Sequence, residues 1–273
     1  MSDIFAGQPS DSALLAEIYD LEHDEVREDL VFYREMVARR RGPVADLGCG
    51  SGRLFAPFLA GGATRILGVD GSAPLLERAL RRLAAEPVLR AAAEAGRIEL
   101  MRADVRIVER RDRFALVVLA GVLSHLDGPE EALRALDHAA RLLTRRGRLI
   151  IDGVGPGGLP SHDLPLSVDW RNDLHGREVV RRSELMRHEA PEGMRVLFST
   201  IVDVREPDGT ISRLPASYRL WYPSPEGLER LMGDAGLEVE ATFGSHDLEP
   251  LDRESERCIM VARRAAPARR GPP

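Results

Sequence analysis

The chain has 273 residues, 44% of them hydrophobic and 30% charged, with a formal net charge of -6. That length buries a core without disulfide or metal staples, and no apolar run is long enough to span a bilayer. The acid excess argues against the phosphate-neutralising surface of a nucleic-acid binder, and because all 38 basic residues are arginine, lysine Schiff-base and pyridoxal chemistry are excluded.

The first ten residues lack the basic start and apolar centre of a secretory signal, and the only cysteines, Cys49 and Cys258, lie far apart. These features read as a reduced, cytoplasmic protein. Residues 11–40 read as one or two amphipathic helices, with Leu14, Leu15, Ile18, Tyr19, Leu30, Phe32, Tyr33 and Val37 at apolar positions. The arginines at 39–41 suit a solvated helix end. From 44 to 152, short apolar runs at 44–47, 65–70, 97–102, 114–120 and 148–152 alternate with helical stretches. That is the pattern of a parallel sheet with helices on its faces. The helix at 73–85 sets Leu75, Leu76, Ala79, Leu80 and Leu83 on one side; the helix at 129–144 starts at Pro129 and Glu130, and Gly147 suits its end.

Residues 153–176 are dense in glycine and proline and read as a loop near the site. Segments 178–186, 194–205 and 210–222, separated by Pro191-Glu192-Gly193 and Pro207-Asp208-Gly209, read as an antiparallel meander. A helix at 224–235, strands at 237–243 and 257–262, and a disordered tail at 265–273 complete the chain. The fold class is α/β: a doubly wound, mostly parallel, seven-stranded Rossmann-like sheet with N-terminal helices and an antiparallel β insertion.

The motif that carries chemistry is Asp46-Leu47-Gly48-Cys49-Gly50-Ser51-Gly52-Arg53, directly after the first strand. Glycines in a strand-to-helix turn let the backbone approach a ligand, and the following helix start offers free N–H groups. A dinucleotide fingerprint needs G-x-G-x-x-G, but Arg53 stands where the third glycine belongs, which disfavours a pyrophosphate. Asp46 beside the turn suits an ammonium or sulfonium better than a phosphate. Asp70 ends the second strand, where a carboxylate accepts both hydroxyls of a ribose; Asp104 follows the third, where it accepts from an adenine amino group while Val105 packs on the ring.

In this order and spacing, residues 46–53, Asp70, Asp104 and Leu123-Ser124-His125-Leu126 after the fourth strand resemble the cofactor motifs of class I S-adenosylmethionine-dependent methyltransferases. The resemblance implies S-adenosylmethionine as cofactor. Gly48, Cys49 and Gly50 would line its methionine part, Asp70 and Gly71 the ribose, Asp104 and Val105 the adenine, with backbone contacts from Ala120 and Gly121. Tyr19-Asp20 and Tyr33 in the leading helices, the β insertion, and Tyr218-Arg219 to Tyr222-Pro223 look like the bacterial small-molecule branch that includes glycine and sugar-amine N-methyltransferases. Tyr19 and Tyr33 would then reach the cofactor; plain core packing is the other reading of both. One departure is Ala115, where the family usually carries an aspartate at the fourth strand's start.

His125 is the candidate proton acceptor, with packing against the cofactor as the alternative. Trp170, Arg219 and Tyr222 are candidates to line a substrate pocket, Arg219 through a guanidinium that grips a carboxylate or phosphate. No metal is expected, since Ala120-Gly121 stands where converging carboxylates would be needed. The organisation expected is a helical lid at 1–43, the cofactor-binding core at 44–153, and a loop and β insertion at 154–223 on the substrate side or a dimer face. Residues 224–264 return to the core. The function expected is methyl transfer to nitrogen or oxygen of a small molecule, without nucleic-acid or membrane partners and with a homodimer suggested by the meander's open edges. A cofactor-binding protein that transfers nothing, a cyclase on the same site, and a nicotinamide oxidoreductase are the alternatives.

Overall fold

The computed structural model describes residues 9–110, 113–190 and 192–266, with side chains from residue 13. Residues 1–8, 111–112, 191 and 267–273 lie outside them, and with them most of the N-terminal start and of the tail expected to be disordered.

Two helices, α1 (Pro9–His23) and α2 (Glu28–Ala38), precede the first strand. Then follow β1 (Val44–Leu47), α3 (Phe55–Ala60), β2 (Ile66–Asp70), α4 (Ala73–Ala85), α5 (Pro87–Glu94), β3 (Ile98–Arg102), β4 (Phe114–Ala120), α6 (Pro129–Leu142) and β5 (Leu143–Val154). β6 (Leu164–Leu174), β7 (Arg177–Ala190), β8 (Gly193–Arg205) and β9 (Ile211–Pro223) form the insertion, and α7 (Pro225–Asp234), β10 (Leu237–Phe243) and β11 (Arg257–Arg264) close the fold. The main sheet has the order β10-β11-β5-β4-β1-β2-β3. β1 to β5 pair in parallel, while β11 runs antiparallel to β5 and β10 antiparallel to β11. Strands buried on both faces read as continuous apolar runs, which is why β1, β2 and β4 stand out in the sequence.

One face of the sheet packs Leu136, Ala139, Leu228 and Met232 of α6 and α7. The other packs Phe32, Phe55, Phe58, Leu83 and Leu89. α4 begins with Pro74 in its first turn and Ser72 as a cap whose hydroxyl accepts from the Leu75 N–H at 3.4 Å. Leu75, Leu76, Ala79 and Leu83 are buried, but Leu80, expected on the same side, is 57% exposed. α6 ends at Leu142 and passes straight into β5, so Gly147 lies in the strand rather than stopping the helix.

The second sheet is antiparallel, in the order β6-β7-β8-β9. Part of the stretch expected as loop at 153–176 is thus strand β6, which contains Pro165 and has a mostly exposed face pattern. An edge strand with little buried on either side carries no alternation to read. The turn at Pro207-Asp208-Gly209 is closed by the Glu206 N–H donating to the Thr210 carbonyl at 2.9 Å. Among the described residues no helix is long and apolar enough to cross a membrane.

Candidate active site

β1 lies between β2 and β4, so successive strands build outward from it in opposite directions. The crevice beyond the carboxyl ends at such a reversal is where open α/β sheets bind ligands. The chain leaves β1 there through the glycine loop, and the N–H groups of Gly48 and Cys49 both donate to the Val69 carbonyl, at 2.7 and 2.9 Å. Gly48 has φ +83°, and a Cβ on it would lie 2.3 Å from a methyl of Val122 in the turn after β4. Gly50, with φ +54°, faces the Tyr19 hydroxyl at 3.3 Å from where its Cβ would be. Packing demands glycine at the first position and the approach of α1 disfavours a side chain at the second.

Three carboxylates stand at successive strand ends. Asp46 is buried, and burial, reinforced by nearby Asp70 and opposed by Arg53, pushes its carboxyl up to about 7. Asp70 accepts the Gly50 N–H at 2.9 Å on one oxygen and the Ser72 N–H at 2.8 Å on the other. It thereby ties the glycine loop to α4. Asp104 is gripped by the Arg106 guanidinium and accepts the Arg106 backbone N–H at 2.9 Å; Arg106 also pairs with Glu131 of α6. Val105 is wholly buried in the core, so of the Asp104–Val105 pair the acid alone presents surface. Gly71 accepts from Arg102 at 3.3 Å. Ala120 ends β4 half-buried, and Gly121 follows with φ +69°, its N–H donated to the Asp152 carbonyl at 2.8 Å and open space where a Cβ would stand. Asp46, Gly48, Cys49, Gly50, Asp70, Gly71, Asp104, Ala120 and Gly121 thus share one sheet edge. A glycine-lined opening rimmed by acids fits a cation with hydroxyl and amino donors, and does not fit a diphosphate.

Arg53 donates to both oxygens of Asp29 and, at 3.1 Å, to the Val26 carbonyl, fastening the glycine loop to the start of α2. The sequence signal for that tie was its place in the third-glycine position.

Tyr33 is not at this edge. Its ring has no exposed surface, edge-on to Phe32 and Phe58, and its hydroxyl donates to Asp152 at 2.7 Å. A fully enclosed ring with its one donor spent does not line an open site, so the packing reading holds there. Asp152, 3% exposed at the end of β5, also accepts from His246 Nε2 at 2.8 Å and from the Arg257 guanidinium. This knot joins α2, β5, the β10–β11 connection and β11. Its members lie more than a hundred residues apart in places, and no local pattern announces them.

Beside the glycine loop, α1 covers a cavity of about 280 Å³. α1 contributes Ile18, Tyr19, Glu22 and His23; His125 comes from the turn after β4; Arg181, Phe198, Thr200, Tyr218 and Leu220 come from one face of the second sheet. Tyr19 is half-buried, and its hydroxyl is pushed well above the ordinary phenol range, first by burial and then by Asp70. α1 is held on both sides. Glu17 and Glu22 pair with Arg177 and Arg181 of β7 at 3.0 and 2.7 Å, while Asp20 and Asp24 pair with Arg78 and Arg82 of α4, each at 2.6 Å.

The structure brings His125 to this cavity but not the three aromatic and basic candidates of the insertion. Trp170 packs against the cluster of Ile18, Leu174 and Val202 and is not among the residues that line the cavity. Arg219 is exposed and lines a separate groove with Asp127, Arg187 and Arg195, because alternation sends Tyr218 and Leu220 to the cavity face and the residue between them to the other. Tyr222 is half-buried at the end of β9, outside the cavity lining. The residues missed, Arg181, Phe198, Thr200 and Tyr218, share a face two apart or across the ladder, a signal readable only once the register is known.

Residues 44–147 match the family model described as a methyltransferase domain. No curated protein sequence matches the chain. Among solved structures, the chain resembles the CcbJ methyltransferase from Streptomyces caelestis at 22% identity, over 97% of this chain and 96% of that one, with a TM-score of 0.70. It resembles the sugar N-methyltransferase KedS8 from Streptoalloteichus sp ATCC 53650 at 22% identity, over 91% and 92%, with a TM-score of 0.69. A third likeness is to CalS10, an amino pentose methyltransferase from Micromonospora echinaspora solved with S-adenosylmethionine bound, at 19% identity over 91% and 97%, TM-score 0.66. At these identities the likenesses speak for the fold. The family match thus falls on the strands that carry the glycine loop and the three acids, and the solved structures share the fold around them.

Proposed function

We propose that the chain transfers a methyl group from S-adenosylmethionine to a nucleophilic nitrogen or oxygen of a small molecule, releasing S-adenosylhomocysteine. The observation that carries this reading is the glycine loop flanked by Asp46, Asp70 and Asp104 and opening beside a cavity roofed by α1. Bound S-adenosylmethionine supplies a methyl already activated on sulfur, so the protein has mainly to align and to exclude water. Gly48, Cys49 and Gly50 form the cradle, Asp46 supplies negative charge beneath it, Asp70 with Gly71 takes ribose hydroxyls, and Asp104 takes the adenine amino group beside Ala120 and Gly121. Tyr19 closes the cradle from α1.

The cavity, at about 280 Å³, is at the small end of ligand pockets, which run from roughly 300 Å³ upward. It admits a molecule of monosaccharide scale or one end of a larger one. The neighbours named as a sugar N-methyltransferase and an amino pentose methyltransferase favour nitrogen as the nucleophile. Proton acceptance falls to the cavity's histidines, His125 in the turn after β4 among them. We read residues 9–38, within the expected 1–43, as the lid.

Leu166, Val168, Met186 and Leu197 are exposed on the second sheet, Met186 opposite Leu197 in the ladder, and β6 is an open edge. These support a homodimer through that sheet. The two free, buried cysteines support a reducing, cytoplasmic setting. The test is incubation with S-adenosylmethionine and a panel of amino sugars, amino acids and small alcohols, read by mass. The reading expects S-adenosylhomocysteine in equal amount to a product heavier by one methyl. Consumption of a panel compound without that gain would transfer the site to another chemistry.

A further inference from the structure

Two imidazoles border the cavity under α1, and the structure distinguishes them. His23 lies one helical turn after Tyr19, and its Nδ1 is 2.8 Å from the Tyr19 carbonyl oxygen. A carbonyl only accepts, so Nδ1 carries the proton and the neutral ring keeps its lone pair on Nε2. The ring is stacked on the Tyr19 phenol with centroids 3.9 Å apart and planes 19° from parallel. Its orientation is therefore held twice, by the same residue whose hydroxyl reaches Gly50 of the glycine loop. No hydrogen bond among the described residues orients the His125 ring, and burial, with His23 adding to it, disfavours its protonation.

The other ionisable groups facing His23 across the cavity are accounted for. Glu22, the cavity's one carboxylate among the described residues, is bonded to Arg181 at 2.7 Å. Arg181 also pairs with Asp169 and lies over the Phe198 ring. Burial raises both Tyr19 and Tyr218 above the ordinary phenol range, so neither supplies a phenolate. The histidines are the bases left.

We propose that His23 is the proton acceptor of the reaction, through Nε2, with His125 bordering the same cavity. The proposal rests on the methyl-transfer reading above and names the residue that serves it. As the lone pair of the substrate's nitrogen or oxygen forms its bond to the methyl carbon, the carbon–sulfur bond breaks with its electron pair left on sulfur. The proton on the attacking heteroatom passes to His23 Nε2. The resulting imidazolium lies flat on the Tyr19 ring face, which attracts a cation, and its Nδ1–H bond to the carbonyl becomes charge-assisted.

The first readout needs no substrate. Long-range nitrogen–proton NMR of the full chain labelled in histidine, above the imidazole titration range, should show His23 as the Nδ1–H tautomer; an Nε2–H tautomer overturns the proposal. The second uses S-adenosylmethionine with the panel compound that gains a methyl. His23→Asn keeps a donor for the Tyr19 carbonyl and removes the base. It should lower kcat/KM about 100-fold, the low end for a positioned general base. The acidic limb of the pH profile should disappear, and the deficit should shrink as pH rises past the substrate's own ionisation. Binding of S-adenosylhomocysteine should stay within twofold of wild type. H23N with wild-type rate and acidic limb, while His125→Asn loses both, assigns the proton to His125 and refutes the proposal while leaving methyl transfer intact. Failure of the wild-type chain to bind S-adenosylhomocysteine would instead strike the underlying reading.

Discussion

Replacing Asp152 by asparagine keeps the size of the side chain and removes the charge on which Tyr33, His246 and Arg257 converge. An amide offers one acceptor oxygen: placed where Tyr33 and His246 donate, it keeps both of those bonds but turns its NH2 toward the Arg257 guanidinium, which loses its partner. A hydrogen bond to a charged group contributes about 1.5–3 kcal/mol, and removing one partner of a buried pair costs about 3–5 kcal/mol. Arg257 is 34% exposed and regains water when the carboxylate is lost, which places the expected cost near the lower end, at about 3 kcal/mol. For a chain of this size that lowers Tm by roughly 6–10 °C. Tyr33→Phe, which removes one neutral donor and leaves the charge paired, should cost only about 1 kcal/mol. The pH dependence has a definite sign. Burial raises the Asp152 carboxyl, but His246, Arg257 and Tyr33 outweigh it and hold it below the usual carboxylate range. Its stabilisation is then complete above about pH 4, the unfolded value, and is lost as pH falls through the lower folded value. Thermal unfolding followed by circular dichroism should show a gap between wild type and D152N that is constant from pH 5 to 8 and narrows only in strong acid. A loss under about 1 kcal/mol at pH 7, or a gap that closes near neutrality, would refute the reasoning.

Gly48→Ala combines a left-handed φ with a Cβ only 2.3 Å from a Val122 methyl and should cost about 2–5 kcal/mol in denaturant unfolding. Gly121→Ala has the same backbone penalty but open space, so it should cost about 1 kcal/mol while its methyl, projecting into the proposed cradle, weakens S-adenosylhomocysteine at least tenfold by calorimetry. Asp46, with its carboxyl raised to about 7, binds more protons folded than unfolded between about pH 4 and 7, so it destabilises as pH rises through that window. Asp46→Asn should therefore raise Tm at pH 8 and leave it little changed at pH 4; equal shifts at both would contradict the assignment. Leu197→Asp on the open sheet face should convert a dimer to monomer in light scattering without lowering Tm by more than a few degrees.

The central sheet was legible because its signals are local. A strand buried on both faces is an apolar run, β10 at 237–243 and α4 at 73–85 are bounded by their own turn and cap residues, and the glycine loop carries its acid beside it. What was not legible depends on pairings between distant segments. β6 is an edge with no buried face of its own, Leu80 differs from its neighbours only in what α4 packs against, and Tyr33 became a core residue because Asp152 lies opposite it. The carboxylates proposed for the site were legible because they follow strand ends. The cavity face of the insertion depended on a register that sequence alone does not set, which exchanged Arg219 for Tyr218. His23 sits on an amphipathic helix one turn from Tyr19, where spacing alone says nothing of its bond to the Tyr19 carbonyl.

The most direct test of the account is calorimetric titration of the purified chain with S-adenosylhomocysteine, alongside Asp70→Ala and with NADH as a control ligand. Stoichiometric binding of S-adenosylhomocysteine to the wild-type chain, lost in D70A and not reproduced by NADH, is the result predicted; no binding, or binding of NADH in its place, would contradict the site.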